Sequence, residues 1–168
     1  MIEAFGLKVD PKTLKLTYDP EELRYGKIII AADADVDGSH IRNLFYTFIW
    51  NFCPQLILDG YVYSLVAPLY KITMGKDTYV YLKDDEALAD FQIKNKSKKY
   101  IVSRFKGLGE MSEDETEILV DPAQRTLCQV TVEDVSAANI LFEQLMGLGV
   151  APRKKFIQDH SKEATYGV

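Results

Sequence analysis

Long apolar runs are what this sequence most clearly lacks. No stretch approaches the roughly 18 consecutive apolar residues that a membrane-crossing helix needs, and no basic leader followed by an apolar run opens the chain. The expectation is a soluble globular protein of the cytoplasm. Cysteine is nearly as scarce. Cys53 and Cys128 lie far apart, and neither has a His or Cys partner at zinc-ligand spacing. That indicates neither a disulfide framework nor a zinc site, and leaves two thiols expected to be buried and free. A positive charge excess is missing as well: 25 Asp and Glu outweigh 20 Lys and Arg, for a net charge of -5. That balance argues against a nonspecific nucleic-acid binder but leaves room for a local basic face. There is no internal repeat, and the one biased stretch, "KNKSKK" at Lys94 to Lys99, reads as a solvated loop.

What is present suffices for a core. At 168 residues and 47% hydrophobic, the chain suits one domain or two small ones. Its opening, interrupted by Pro11, Pro20 and Gly26, reads as a short helix and loop. Lys27 to Ala32 is short, β-branched and apolar at consecutive positions, the pattern of a strand buried on both faces of a parallel sheet. Beyond Ser39, read as an N-cap, the residues Ile41, Leu44, Phe45, Phe48 and Phe52 recur at helical spacing, so a helix packed on the sheet is expected to about Phe52. "GYVYSLVAPLY" and "KITMGKDTYVYLK" read as strands, the second a hairpin about Gly75 to Asp77, followed by a short helix from Asp84. "KYIVSRF" is a further strand leading into the glycine-rich "KGLGEM". Ser112 with Glu115 forms a capping box, "RTLCQVTV" is a strand, and a helix lies on either side of "GLGVAP". The fold class expected is α/β.

The chemistry concentrates in "KIIIAADADVDGSHIRNLF". Asp33, Asp35 and Asp37 stand at alternate positions directly after the buried strand and before Gly38. Carboxylates this dense repel one another, and a cation or a catalytic proton is the usual reason for gathering them. An EF-hand fits "DADVDG" but needs a glutamate at the twelfth loop position, which is Leu44, and a helix where this chain has a strand. A haloacid-dehalogenase-like, magnesium-dependent phosphatase fits the Asp-x-Asp after a strand and is the alternative function. It needs a second carboxylate pair at another strand end, whereas Asp84 and Asp85 look like a helix N-terminus. A solvated acidic loop is the ordinary fate of such a motif. Three aspartates and a glycine at a strand's C-terminal end, where α/β ligands collect, speak against it.

Four ordered blocks, "IIIAADADVDGSHIR", "GYVYSLVAPLYKI", "RFKGLGEM" and "LMGLGVAPRKKFI", resemble the C-terminal part of the B subunits of bacterial type IIA topoisomerases, the gyrase and topoisomerase IV family. The resemblance runs through nearly the whole chain. It implies a Toprim-type parallel sheet flanked by helices over residues 1–68 and a C-terminal α+β region over 69–168. It also implies DNA strand passage by an A2B2 heterotetramer, with the cleaving tyrosine on the A subunit and ATP bound by a separate domain. No catalytic residue is assigned in this chain. By the same resemblance Asp33 is the magnesium ligand shared between two sites, Asp35 the ligand of the second, and Asp37 an outer-shell partner or occasional ligand, with manganese a possible substitute. Arg42, Arg104 and Lys106 are the candidates for contact with the phosphates of double-stranded DNA. "PRKKF" at Pro152 to Phe156 faces the A subunit or DNA, or is a solvated face. Two departures matter: the family's "EGDSA" glutamate segment and its "PLRGK" segment are not found, so the chain reads as beginning inside the Toprim domain with half of the metal site missing. Ala32 stands where the family commonly has threonine or glutamate.

Overall fold

The computed structural model describes residues 2–13, 15–76 and 78–163. The chain divides into two compact units, 1–130 and 131–168.

The first unit opens with α1 (Ile2–Phe5) and a small hairpin of β1 (Lys8–Val9) and β2 (Leu16–Thr17). The hairpin departs from the expected helix and loop. Strands of two residues are too short to carry a countable alternation. Next comes β3 (Ile28–Ile30), with Ile28 and Ile30 buried and Ile29 half-buried. It pairs in parallel with β4 (Val62–Val66), which pairs antiparallel with β8 (Thr126–Gln129). The expected parallel strand is therefore present, with the aspartates following its C-terminal end. Its position differs from the expectation: β3 is an edge strand of a three-stranded sheet.

Between β3 and β4 run α2 (Val36–Phe52) and the short α3 (Gln55–Leu58). Two expectations are corrected here. The N-cap of α2 is Asp35, not Ser39, because the Asp35 carboxylate accepts the Gly38 N–H at 2.7 Å and sets the first turn several residues early. The stripe Ile41, Leu44, Phe45 and Phe52 stays exposed, and burial falls instead on Ile49, Trp50 and Cys53. At Phe45 the reason is the sheet edge: an open groove of about 450 Å³, lined by Ile28 to Ala31, Phe45 and Ile49, runs along β3, and among the described residues no strand pairs there.

A second antiparallel sheet, in the order β6-β5-β7, comprises β5 (Tyr70–Thr73), β6 (Tyr79–Leu82) and β7 (Ile101–Arg104). The β5–β6 hairpin is as expected, although Asp77, at its turn, lies outside the described residues. Asp84 caps α4 (Asp85–Lys94) by accepting the Ala87 N–H at 2.8 Å, as a helix N-terminus should. Lys96, Lys98 and Lys99 beyond it are exposed, matching the solvated-loop reading. Cys53 is buried, and burial raises its thiol pKa, whereas Cys128 is exposed. The expectation of two buried thiols fails at Cys128 because β8 is the outer strand of its sheet.

The capping box is realised in α5 (Glu113–Val120): Ser112 Oγ accepts the Glu115 N–H, and Glu115 Oε2 accepts the Ser112 N–H at 2.8 Å. The other oxygen of Glu115 accepts from Lys71 Nζ of β5 at 2.5 Å, with the glutamate side chain only 9% exposed, so α5 is bolted to the second sheet. The Lys71 ammonium, then the Ser112 amide, hold the Glu115 pKa below the ordinary 4.5. The same bond raises Lys71 above 10.5. A depressed carboxylate stabilises the fold above pH 4.5 and loses that contribution as pH falls through its folded pKa. Lys71 gives its share below pH 10.5 and loses it only at more alkaline pH. In urea unfolding, Glu115→Gln, which keeps the box, is expected to cost about 1.5 kcal/mol and Glu115→Ala about 3 kcal/mol. The Gln variant should also flatten the acid-side decline seen below pH 4.5.

The second unit is a helical pair, α6 (Val135–Met146) and α7 (Val150–Asp159). Asp134 caps α6 by accepting the Ser136 and Ala137 N–H groups. Arg153 donates to the Gly147 carbonyl at 2.7 Å, closing the turn between the helices. Of the basic residues in "PRKKF", Arg153 thus serves the turn, while Lys154 and Lys155 are exposed.

Candidate metal centre and nucleic-acid interface

The acidic loop begins where β3 stops. Asp33 is half-buried, and its Oδ1 accepts the backbone N–H of Leu108 at 2.7 Å, across 75 residues of sequence. Leu108 opens a 3-10 turn, Leu108–Glu110, whose N-cap is the extended Gly107. Gly107 lies flat on the carboxylate: a β-carbon built on it would stand 2.9 Å from Asp33 Oδ2 and 3.1 Å from Cγ. The loop carrying it is tied at both ends. Phe105 N–H donates to the Leu69 carbonyl at 2.9 Å, the Phe105 and Tyr81 rings stack, and Lys106 N–H donates to Glu110 Oε2 at 2.9 Å.

Asp35 and Asp37 have different settings. Asp35 caps α2, and Asp37 is exposed in its first turn. Both sit where unpaired helix N–H groups favour negative charge. The repulsion within the triplet is thus relieved in part by backbone amides, from α2 on one side and from the 3-10 turn on the other. Among the described residues no three acidic, His or Cys side chains stand close enough to hold a metal ion between them. Asp33 Oδ2 is free of hydrogen bonds among those residues, and Asp35 is committed through Oδ1. Hard carboxylate oxygens at this point suit magnesium, and they make part of a shell rather than a whole one.

The basic candidates occupy two places. Arg42, half-buried on α2, donates to Ser39 Oγ at 3.0 Å and to Ser64 Oγ of β4 at 3.4 Å, and it forms no ion pair with the described residues. Its guanidinium is thus oriented by two neutral hydroxyls. Arg104 ends β7 and lies over the Tyr70 ring, 5.9 Å from its centre, while the Tyr70 hydroxyl donates to Asp85 Oδ1 at 2.5 Å. Lys106 is exposed two residues further, on the loop that touches Asp33. The structure therefore brings Asp33 together with the "KGLGEM" loop, of which exposed Lys106 is the first residue, while Arg104 ends the strand that leads into it. Sequence reasoning missed Gly107 and the Leu108 amide. The signal available was a glycine followed by a capped turn, and nothing local says which carboxylate it meets.

A parallel strand running into an acidic loop, a glycine-bearing helix start and a returning parallel strand define a Toprim-type site, and the family model described as "Toprim domain" matches residues 4–65. A second, "DNA gyrase B subunit, carboxyl terminus", matches residues 97–158. The chain is 47% identical to the DNA gyrase B subunit of Thermus thermophilus over 165 residues, 98% of this chain and 26% of that protein. It is 43% identical to the DNA gyrase B subunit of Staphylococcus epidermidis over 162 residues, 96% of the chain and 24% of the relative. Against the DNA topoisomerase 4 B subunit of Mycoplasma capricolum it is 43% identical over 146 residues, 86% and 23% of the two lengths. The chain belongs to the family of gyrase and topoisomerase IV B subunits. It spans about a quarter of the length of these relatives. These matches support the topoisomerase reading and not the dehalogenase alternative, and Asp84, which that alternative needed at a strand end, caps α4. No described helix is long and apolar enough to cross a membrane.

Proposed function

We propose that this chain is the magnesium-binding, DNA-facing part of the cleavage and religation core of an ATP-dependent type IIA topoisomerase, which changes DNA topology by double-strand passage. The observation that carries this reading is the carboxylate Asp33, just beyond the strand end, held by the "KGLGEM" loop, with Arg104 and Lys106 exposed at the start of that loop. Asp33 and Asp35 hold the ion, with Asp37 behind them, and the rest of the shell comes from water or from residues beyond these. Magnesium, when bound, supplies the positive charge that stabilises the phosphoryl transition state and the departing sugar oxygen. Manganese is a substitute of the same hard-ligand class. Arg42, held by Ser39 and Ser64, presents a fixed guanidinium to phosphate, and Arg104 and Lys106 add two exposed charges. Residues 1–68 form the Toprim segment and 69–168 the C-terminal region. ATP is bound by a separate domain. The tyrosine that holds the cut strand belongs to the A subunit, in an A2B2 assembly working in the cytoplasm.

With a net charge of -5 and few basic residues at the site, the chain alone should bind DNA feebly. Fluorescence anisotropy with duplex DNA at physiological salt should show binding that strengthens when the A subunit's breakage domain is added. Joint Arg104→Ala and Lys106→Ala should weaken the ternary complex and flatten its salt dependence by about two charges. Tight DNA binding by the chain alone, or magnesium-dependent turnover of p-nitrophenyl phosphate, would contradict this function.

A further inference from the structure

We infer that Gly107 and the Leu108 backbone amide are positioning groups for the metal site, fixing the Asp33 carboxylate so that Oδ1 is taken by the loop and Oδ2 is left for the cation. This rests on the metal reading above and goes beyond it, because it assigns the "KGLGEM" loop to the acidic centre rather than to a surface facing DNA or a partner.

Three observations converge. The Leu108 N–H meets Oδ1 at 2.7 Å, a short, charge-assisted bond. A side chain at Gly107 would have to push the carboxylate aside, since its β-carbon would stand 2.9 Å from Oδ2 and 3.2 Å from Oδ1. The loop cannot simply swing aside, being held by Phe105 to the Leu69 carbonyl, by Lys106 to Glu110, and by the Ser112 and Glu115 box that follows. On the other side Asp33 is equally confined, its backbone carbonyl packed against Gly38. A carboxylate with both ends so restricted has one orientation to offer, which is what an outer-shell hydrogen bond does for a metal ligand. Ala34, itself exposed, borders a small recess with Phe105, Gly107 and Leu108, so the loop also runs beside the residue between the two aspartates.

The same loop supplies its own control. Gly109 has open space where a β-carbon would go. Leu108→Pro removes the donor at the first position of a helical turn, where proline is tolerated after an extended residue. Leu108→Ala matches the lost side chain.

Manganese affinity of the 15N-labelled chain, by electron paramagnetic resonance, should fall about tenfold in Gly107→Ala and in Leu108→Pro. Gly109→Ala should bind as the unsubstituted chain does, and Leu108→Ala, which keeps the amide donor, should bind more tightly than Leu108→Pro. Manganese should broaden the amide signals of Ala34, Asp35 and Leu108 together. Without metal, Asp33→Asn should move the Leu108 amide proton upfield, because its acceptor loses its charge. Equal affinity of Gly107→Ala and Gly109→Ala overturns the positioning role, and so does a Leu108 amide indifferent to Asp33→Asn. A chain that takes up no manganese in any form, while the Leu108 amide still responds to Asp33→Asn, overturns the metal reading beneath it.

Discussion

On the function proposed above, Asp33→Asn or Asp35→Asn in a B subunit containing this chain, reconstituted with an A subunit, is expected to lower DNA cleavage by about a hundredfold or more while leaving the fold intact. The fold survives because the asparagine amide keeps the oxygen each position uses. At Asp35 it still caps α2 by accepting from Gly38, and asparagine is as good an N-cap as aspartate. At Asp33 it still accepts from Leu108. Only the charge is lost, and the charge is what a hard cation and a phosphoryl transition state respond to. In this chain alone, removing one of three neighbouring negative charges should leave the melting temperature unchanged or slightly higher. Manganese, or high magnesium, should restore part of the cleavage. Asp35→Ala is the contrasting variant: it loses the cap as well, at about 1 kcal/mol of stability. Cleavage gels with linear and supercoiled DNA, read beside thermal melts of the same proteins, make the comparison. Full cleavage after either asparagine substitution would refute the metal role of that aspartate.

How much of this was legible in the sequence differs by feature. The strand Ile28–Ile30, the helix after the acidic loop, the β5–β6 hairpin and the Ser112 and Glu115 box were all readable, because each is written in adjacent residues. Hydrophobic spacing placed α2 but misjudged its buried face. Periodicity reports where an apolar stripe lies, and burial depends on whether something covers it, which no window of 17 residues contains. The site shows the same division. The three aspartates announce themselves locally, but their nearest partner, the Leu108 amide, lies 75 residues away and contributes a backbone group that nearly every residue possesses. Lys71 and Glu115, 44 residues apart, form the best-buried ion pair among the described residues and were equally unreadable. Gly107 and Gly38 were visible as glycines, and a resemblance could mark their motifs. Only coordinates show that both touch the same aspartate, one at its carboxylate and one at its backbone.

Gly38 therefore makes the sharpest test of the architecture. It is buried at the third position of α2, where helix propensity alone says that alanine should stabilise by about 1 kcal/mol. Geometry says the reverse. A β-carbon at Gly38 would stand 2.2 Å from the backbone oxygen of Asp33 and 2.8 Å from its nitrogen and carbonyl carbon, so backbone rather than a flexible side chain would have to move. Overpacking against a fixed backbone costs about 3 kcal/mol, at the upper end of its usual range. That outweighs the propensity gain and leaves Gly38→Ala destabilised by about 2 kcal/mol, a fall of roughly 4 to 8 °C in melting temperature for a chain of this size. Since the displaced atom belongs to Asp33, the Leu108 amide signal should shift in the same variant. Gly26, which meets nothing within 4 Å and has no left-handed backbone, is the control, and alanine there should be neutral or mildly stabilising. The sign of the change at Gly38 decides between the two forces: a stabilised Gly38→Ala would mean that α2 does not start against the end of β3, and the placement of the acidic loop would fall with it.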